Sequence, residues 1–331
     1  MEAELNTRAH NEPENLWKRL LRIIIRVTVS ALVLTFVISL VQWQNVLAAY
    51  RSADSRYIFG GAVLLIANLG VRTLKWRIML HAVKESPTSW EAFGSVMLGI
   101  SLGSFTPGEI GEFAGRALHI TDARRSHLVG LALLDKAQIF LVTSVAGIIG
   151  LAFLTISNSI IFSILTVGLI AMLFVILLRM ELIADFGHRI NTSFFKKSWL
   201  TGVLEGLTLL KPRQVVITSL YTIVFHLVIV AQLFLLLCAF DRVTLEQAFI
   251  GTSAMMFVKS LLPISLGDLG IREAGSVFFF SAFGISQAAA LNASLLLFVI
   301  NVFIPSAIGT YFLRYQQLST SSLLHFFKKI H

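Results

Sequence analysis

Cysteine is nearly absent: the 331 residues contain one, Cys238, inside the apolar run LFLLLCAF. A lone cysteine forms no intrachain disulfide and has no companion for a metal site, so it is expected to be packing or lipid-facing mass. Charge is scarce too. Only 14% of the residues are charged and 56% are hydrophobic, where an ordinary soluble domain has about 25% charged and about 45–50% apolar residues. No Cys/His/Asp set has metal-ligand spacing, no nucleophile–base–orienter set is legible, and no Walker sequence is present. ATP hydrolysis by this chain is therefore not expected, and neither a metal nor another cofactor is expected. The N-terminal stretch MEAELNTRAHNEPENLWKRLLR is polar, and the apolar run after it is too long for a cleavable signal peptide.

What fills the chain instead is apolar sequence in long blocks, such as Ile23–Val41 and Ser159–Leu178. About 20 apolar residues in a helix cross the hydrocarbon core. The formal net charge of +9 comes from 27 Lys/Arg against 18 Asp/Glu. In a soluble protein that surplus would raise nucleic-acid binding; here it reads as the cytoplasmic bias of membrane loops, and no nucleic-acid partner is expected.

The expected fold class is all-α: a polytopic membrane bundle of about six spanning helices with two re-entrant helical hairpins of opposite orientation, forming an inverted repeat. The crossings fall near 23–41, 57–80, 128–154, 159–178, 215–240 and 288–313. They are grouped as a tail 1–22, a first membrane half 23–178, a connector 179–213, a second half 214–313 and a tail 314–331. Two stretches, about 90–120 and 245–283, are apolar but broken, the first by Pro107-Gly108 and the second by Pro263 and the glycines after it. Pro and Gly sit poorly inside a helix, so each stretch reads as a hairpin. With the N-terminus inside, the inside loops hold nineteen Lys/Arg and the outside loops three. Both termini are then cytoplasmic and the protein sits in the cell inner membrane. Trp17, Trp43, Trp76 and Trp90 read as interface anchors. In the connector, Leu182, Ile183, Phe186, Ile190 and Phe194 recur at helical spacing, which fits a helix on the membrane surface or one packed on neighbouring loops.

The two breaks resemble each other. Pro107-Gly108-Glu109-Ile110-Gly111-Glu112-Phe113-Ala114-Gly115 and Gly267-Asp268-Leu269-Gly270-Ile271-Arg272-Glu273-Ala274-Gly275 both run glycine, acid, aliphatic, glycine, then an acid shortly before Ala-Gly. Each follows one crossing and precedes another, and the two enter from opposite faces. Inverted repeats with discontinuous helices at mid-membrane recur in transporters. Non-helical backbone at membrane depth must face protein or a wet cavity, and half-helix N-termini favour an anionic ligand.

Charges at this depth are costly, about 2.5–3.5 kcal/mol each even on the lenient insertion scale. The candidate binding or transport residues are Arg72, Pro107, Gly108, Glu109, Gly111, Glu112, Arg116, Asp135, Lys136, Lys259, Gly267, Asp268, Gly270, Arg272 and Glu273. Glu112 and Arg116, and Asp268 and Arg272, are four apart and placed to pair along a helix. Adjacent Asp135 and Lys136 point to different faces and need other partners, and adjacent Arg272 and Glu273 are read the same way. Lys75 is counted with the loop after the second crossing. His226 is read as a packing histidine or a proton relay, His119 and His127 as interface residues, and Asn68, Asn292 and Asn301 as interhelical hydrogen-bonding groups.

On Thr106-Pro107-Gly108-Glu109-Ile110-Gly111-Glu112 and Gly267-Asp268-Leu269-Gly270-Ile271-Arg272-Glu273-Ala274, the chain resembles the lysylphosphatidylglycerol synthase transmembrane-region family, a flippase-like integral membrane domain, over roughly residues 20–315. The resemblance implies movement of an aminoacylated or other phospholipid, or a polyprenyl-linked lipid, between leaflets. Members that add the amino acid do so with a separate soluble domain, for which 331 residues are expected to leave no room. Two departures stand out: Glu109 where a second glycine is common, and Ile264-Ser265-Leu266-Gly267-Asp268 where a Pro-Gly-Gly run is usual. Both put acids beside the presumed headgroup site.

The expected function is thus a lipid flippase or transporter with membrane lipids as partners, alongside a separately encoded lipid-modifying enzyme or a second copy of the chain. A membrane enzyme acting on a lipid headgroup, and a structural or regulatory partner in an envelope complex, are the alternatives.

Overall fold

Apolar runs without internal proline close their backbone hydrogen bonds within a helix, the form that backbone must take in hydrocarbon. The computed structural model describes residues 41–106, 108–155, 179–262 and 268–315, with isolated positions at 35, 39 and 168. These residues form α1 (Trp43–Arg51), α2 (Ser55–Leu80), α3 (Ser89–Ser104), α4 (Ile110–His119), α5 (Arg125–Thr155), α6 (Met180–Ile190), α7 (Ser198–Leu207), α8 (Pro212–Cys238), α9 (Leu245–Leu261), α10 (Ile271–Ser281), α11 (Gln287–Phe298) and α12 (Ile304–Tyr315). A π-helical turn, Asn191–Phe195, follows α6, and another, Val299–Phe303, joins α11 to α12. Among the described residues there is no strand. The protein is an all-α, multi-pass membrane bundle.

Among the described residues, four helices are long and apolar enough to cross a membrane: Ser55–Leu80, Arg125–Leu154, Pro212–Cys238 and Gln287–Phe312. They match four of the six expected crossings; those expected at 23–41 and 159–178 lie almost wholly outside the described residues, as do the tails 1–22 and 314–331. Outward-facing Phe59, Ile66, Leu220 and Leu227 are about half or more exposed, which suits lipid and not water.

Helix starts follow side-chain capping. Asp54 accepts the Arg56 N–H at 2.9 Å. Thr88 and Glu91 cap α3 reciprocally, at 3.1 and 2.9 Å. Lys84 ties this corner by binding Glu91 and Asp122 at 2.6 and 3.1 Å, bonds that hold its ammonium above the usual lysine range and Glu91 below the carboxylate range. Pro212 occupies the first turn of α8, where no N–H is missed.

The two broken stretches are antiparallel helix pairs. Along α3 and α4, Gly94 lies against His119, Gly99 against Arg116 and Gly115 against Leu98. Along α9 and α10, Gly251 lies against Phe280 and Gly275 against Met255. At 10 and 11 residues, α4 and α10 are about 15–17 Å long, half of a hydrocarbon core of about 30 Å. The pairs sit in related surroundings: α2 packs on α8, α3 on α12, and α5 on α9. One apolar core joins α2, α3, α4, α5 and α12 through Trp76, Met97, Ala117, Leu131 and Phe312; a second joins α8, α9, α10 and α11 through Leu233, Met255, Phe280 and Ala293.

Three expectations are corrected. Residues 43–51, expected in an outside loop, form α1. Lys75, expected in a loop, lies in α2 and is buried, because its ammonium has a carboxylate partner inside the bundle. Trp76, expected at the interface, is 1% exposed; its indole N–H donates to Ser95 Oγ at 2.8 Å, which removes the need for water at its polar edge. Asn68 and Asn301 both hydrogen-bond Gln232, at 3.4 and 2.8 Å, and Asn292 donates to the Val46 carbonyl at 2.9 Å. His226 is buried and hydrogen-bonds Ser253 at 3.0 Å.

The hairpin depends on close backbone contact. A Cβ on Gly115 would fall 2.6 Å from the Leu98 carbonyl oxygen, whereas one on Gly70 in α2 meets nothing within 4 Å. Gly115→Ala is expected to destabilise the protein by about 1–3 kcal/mol and Gly70→Ala to stabilise it by about 0.5–1 kcal/mol. Thermal unfolding in detergent micelles measures both, and equal effects would show that the close approach does not hold the hairpin.

Candidate functional site

At the turn between α3 and α4 the chain takes two successive left-handed residues, Gly108 at φ 59° and Glu109 at φ 57°. The turn between α9 and α10 also has positive φ at an acid, Asp268 at 60°, and again two residues on at Gly270, 94°. Left-handed backbone is easy for glycine but costs a side-chain-bearing residue about 1–2 kcal/mol. Each turn thus forces an acid into strained backbone at its tip. Thr106 Oγ1 accepts the Gly111 N–H at 2.6 Å and starts α4; Glu273 accepts the Gly270 N–H at 2.6 Å and starts α10. Gly111 itself passes so close to the Leu102 carbonyl that no side chain fits there. Pro107 and Gly267 lie outside the described residues.

Around the first hairpin the charges form one network. Glu112 binds Arg72 at 2.8 Å, Arg116 at 2.6 Å and Lys136 at 3.1 Å. Asp135 binds Arg116 at 2.8 Å and Lys75 at 2.5 Å. Lys136 also binds Glu109. Lys75 adds a hydrogen bond to Thr222 at 2.6 Å. Four cations face three carboxylates here, a formal surplus of one positive charge. The Arg116 guanidinium lies 4.8 Å from the Trp76 ring centre, and that of Arg72 5.6 Å from Phe225. Adjacent Asp135 and Lys136 do take separate partners, and Glu112 and Arg116 pair across one helical turn.

The second hairpin differs. Lys259 binds Asp268 at 2.6 Å, so Asp268 is held by α9 and not, as the four-residue spacing suggested, by Arg272. Arg272 and Glu273, expected to point apart, bind each other at 2.6 Å. The reason is that Glu273 turns back to cap its own helix, which leaves its second oxygen facing the neighbouring guanidinium and the Ser294 hydroxyl, 3.2 Å away. Arg272 stacks 5.2 Å from the Phe298 ring centre.

The hairpin tips meet across a cleft of about 400 Å³. One part of its lining is ionic: Glu109 and Lys136 from one side, Lys259 and Asp268 from the other. The rest is mainly apolar, with Phe113, Leu133, Phe140 and Met256. Arg72, Glu112, Arg116 and Asp135 stand behind Lys136 and do not line the cleft; Arg272 and Glu273 stand behind Asp268. A separate void of about 10 Å³, the size of one water, lies among Arg72, Lys75, Asp135 and Thr222. Among the described residues no three His, Cys, Asp or Glu side chains come together as metal ligands.

A family model described as the lysylphosphatidylglycerol synthase TM region matches residues 23–309. The chain belongs to this family. Among curated proteins, no match was found. The matched span of the lysylphosphatidylglycerol synthase TM region takes in both hairpins and every charge of the cleft.

Sequence reasoning missed Lys75, Thr222 and Gln232. Lys75 left one signal: it lies three residues after Arg72, on the same face of a helix. Gln232 had none beyond being a polar residue in an apolar run.

A buried pair stripped of one partner is costly, about 3–5 kcal/mol. Asp135→Asn strands Lys75 and leaves Arg116 with Glu112 alone, and it is expected to lower stability by about that amount. Adding Lys75→Met to Asp135→Asn is expected to recover part of it. Denaturant unfolding in micelles checks the pair, and an unchanged midpoint for Asp135→Asn would mean that the network contributes nothing.

Proposed function

We propose that this protein moves a lipid with a phosphate-bearing headgroup between leaflets, using the cleft between the hairpin tips as the headgroup chamber. The observation that carries this reading is the cleft's make-up: an apolar wall beside two lysine–carboxylate pairs, one from each hairpin region. An amphiphile needs both surfaces. Lys136 and Lys259 are the phosphate ligands, and Glu109 and Asp268 are the groups that release them. Glu112, Arg72, Arg116 and Asp135 position Lys136, and Arg272 with Glu273 braces the second tip. Gly108, Gly111 and Gly270 keep the tips narrow enough for a headgroup to approach the backbone.

In this reading the hairpins are re-entrant and the two halves form an inverted repeat, with the protein in the inner membrane and both termini in the cytoplasm. Support comes from the half-length of α4 and α10, from the reciprocal packing of α3 on α12 and α5 on α9, and from the charge asymmetry of the loops. The candidate substrates are aminoacylated or unmodified phospholipids and polyprenyl-linked lipids, with a separately encoded lipid-modifying enzyme as the candidate supplier. Membership of the family supports transport over headgroup chemistry.

The test is translocation in proteoliposomes containing only this protein. Labelled phosphatidylglycerol, aminoacylated phosphatidylglycerol or a polyprenyl phosphate is expected to change leaflet faster than in protein-free vesicles. Lys136→Gln combined with Lys259→Gln is expected to slow it at least about tenfold, the equivalent of about 1.4 kcal/mol in barrier. No protein-dependent movement of any of these lipids overturns the proposal.

A further inference from the structure

The connector between the two halves carries a second surface. Helical spacing places Leu182, Ile183, Phe186 and Ile190 along one side of α6. Leu182 is 64% exposed and Phe186 66%, so the bundle leaves that side open. The side turned to the bundle is small: Ala184 is buried, and Gly187 lets Leu204 of α7 come close. Glu181, Asp185 and His188 lie away from the apolar side, while Arg189 flanks it. Arg179, Arg189 and Lys196 are exposed.

The level of α6 in the molecule is fixed by α7. Gly206 of α7 packs on His127 and Gly130, and Gly202 on Ser126. Glu205 binds His127 at 3.0 Å and Arg124 at 3.7 Å. All of these partners lie just before or within the first turns of α5, a spanning helix that starts at Arg125. An apolar helix side at the end of a spanning helix lies where acyl chains give way to headgroups, and the cations around it match an anionic leaflet.

We propose that α6 is a binding site for the anionic headgroups of the leaflet it borders, with Leu182, Ile183 and Phe186 among the acyl chains and Arg179, Arg189 and Lys196 on the phosphates. This site is separate from the cleft and does not depend on the transport reading. Opposite charges at the surface attract over about 10 Å at 0.1 M salt, so the contact is stronger on anionic than on neutral vesicles.

The experiment uses full-length Cys238→Ser protein carrying an environment-sensitive fluorophore at Phe186→Cys, or at Asp185→Cys on the polar side. Both positions are exposed, and unchanged thermal unfolding verifies that the variants fold. The protein is reconstituted into vesicles of phosphatidylcholine, or of phosphatidylcholine with phosphatidylglycerol. The label at 186 is expected to shift to the blue and to lose iodide quenching, more so with phosphatidylglycerol; the label at 185 stays quenchable. Arg189→Gln with Lys196→Gln, or high salt, is expected to reverse the extra shift. A label at 186 quenched as strongly as that at 185 in both vesicles overturns the proposal. So does a blue shift that ignores lipid charge and grows with protein density, which would place a second copy on this face. Translocation is not read, so a failure here is distinct from a failure of the flippase proposal.

Discussion

A carboxylate at membrane depth is tolerated only while cations surround it. Glu112 meets that condition with three, Arg72 from α2, Arg116 from its own α4, and Lys136 from α5. The bonds to Arg72 and Lys136 tie the 10-residue α4 to α2 and α5, beside its close backbone packing on α3. Asp135 repeats the arrangement one layer further in, holding Arg116 and Lys75. The position of Lys136 in the cleft is therefore an output of the whole network. Buried ion pairs add little net stability over apolar packing; what they supply here is one defined geometry for groups that would otherwise drag water into the bundle.

The two hairpins share a backbone plan and differ in how they are held. Both tips place an acid in left-handed backbone and give it a lysine partner. Among the described residues, the ion pairs of the first hairpin reach out to α2 and α5, while those of the second close within α9, α10 and the turn between them. The second hairpin is joined to its surroundings mainly by apolar packing, by Ser276 donating to the Ala290 carbonyl, and by Ser294 meeting Glu273.

Much of this was readable in the chain. Pro107-Gly108 marked the first break, Pro263 and the glycines after it marked the second, and the spacing of Glu112 and Arg116 predicted their bond. What was not readable depended on distant partners or on local reach. Lys75 looked like a loop cation because its carboxylate is supplied by α5. Trp76 looked like an interface anchor because its acceptor, Ser95, lies on another helix. Arg272 and Glu273 looked divergent because an ideal helix separates neighbours, whereas a capping glutamate at a helix start bends back. The π-helical turn at Val299–Phe303 sits just before Pro305, whose missing N–H interrupts the regular ladder, yet proline alone does not announce which irregularity follows.

The Arg72–Glu112 bond spans 40 residues of sequence, and this separation bears on biogenesis. A chain made from its N-terminus delivers the cations of α2 to the membrane well before the acids that neutralise them. Alone, α2 carries Arg72 and Lys75 into hydrocarbon at an unfavourable transfer energy, and α5 later brings Asp135 and Lys136 at a similar one. Lateral assembly of α2 with α4 and α5 offsets that cost, because the acids that neutralise Arg72 and Lys75 arrive only with those later helices.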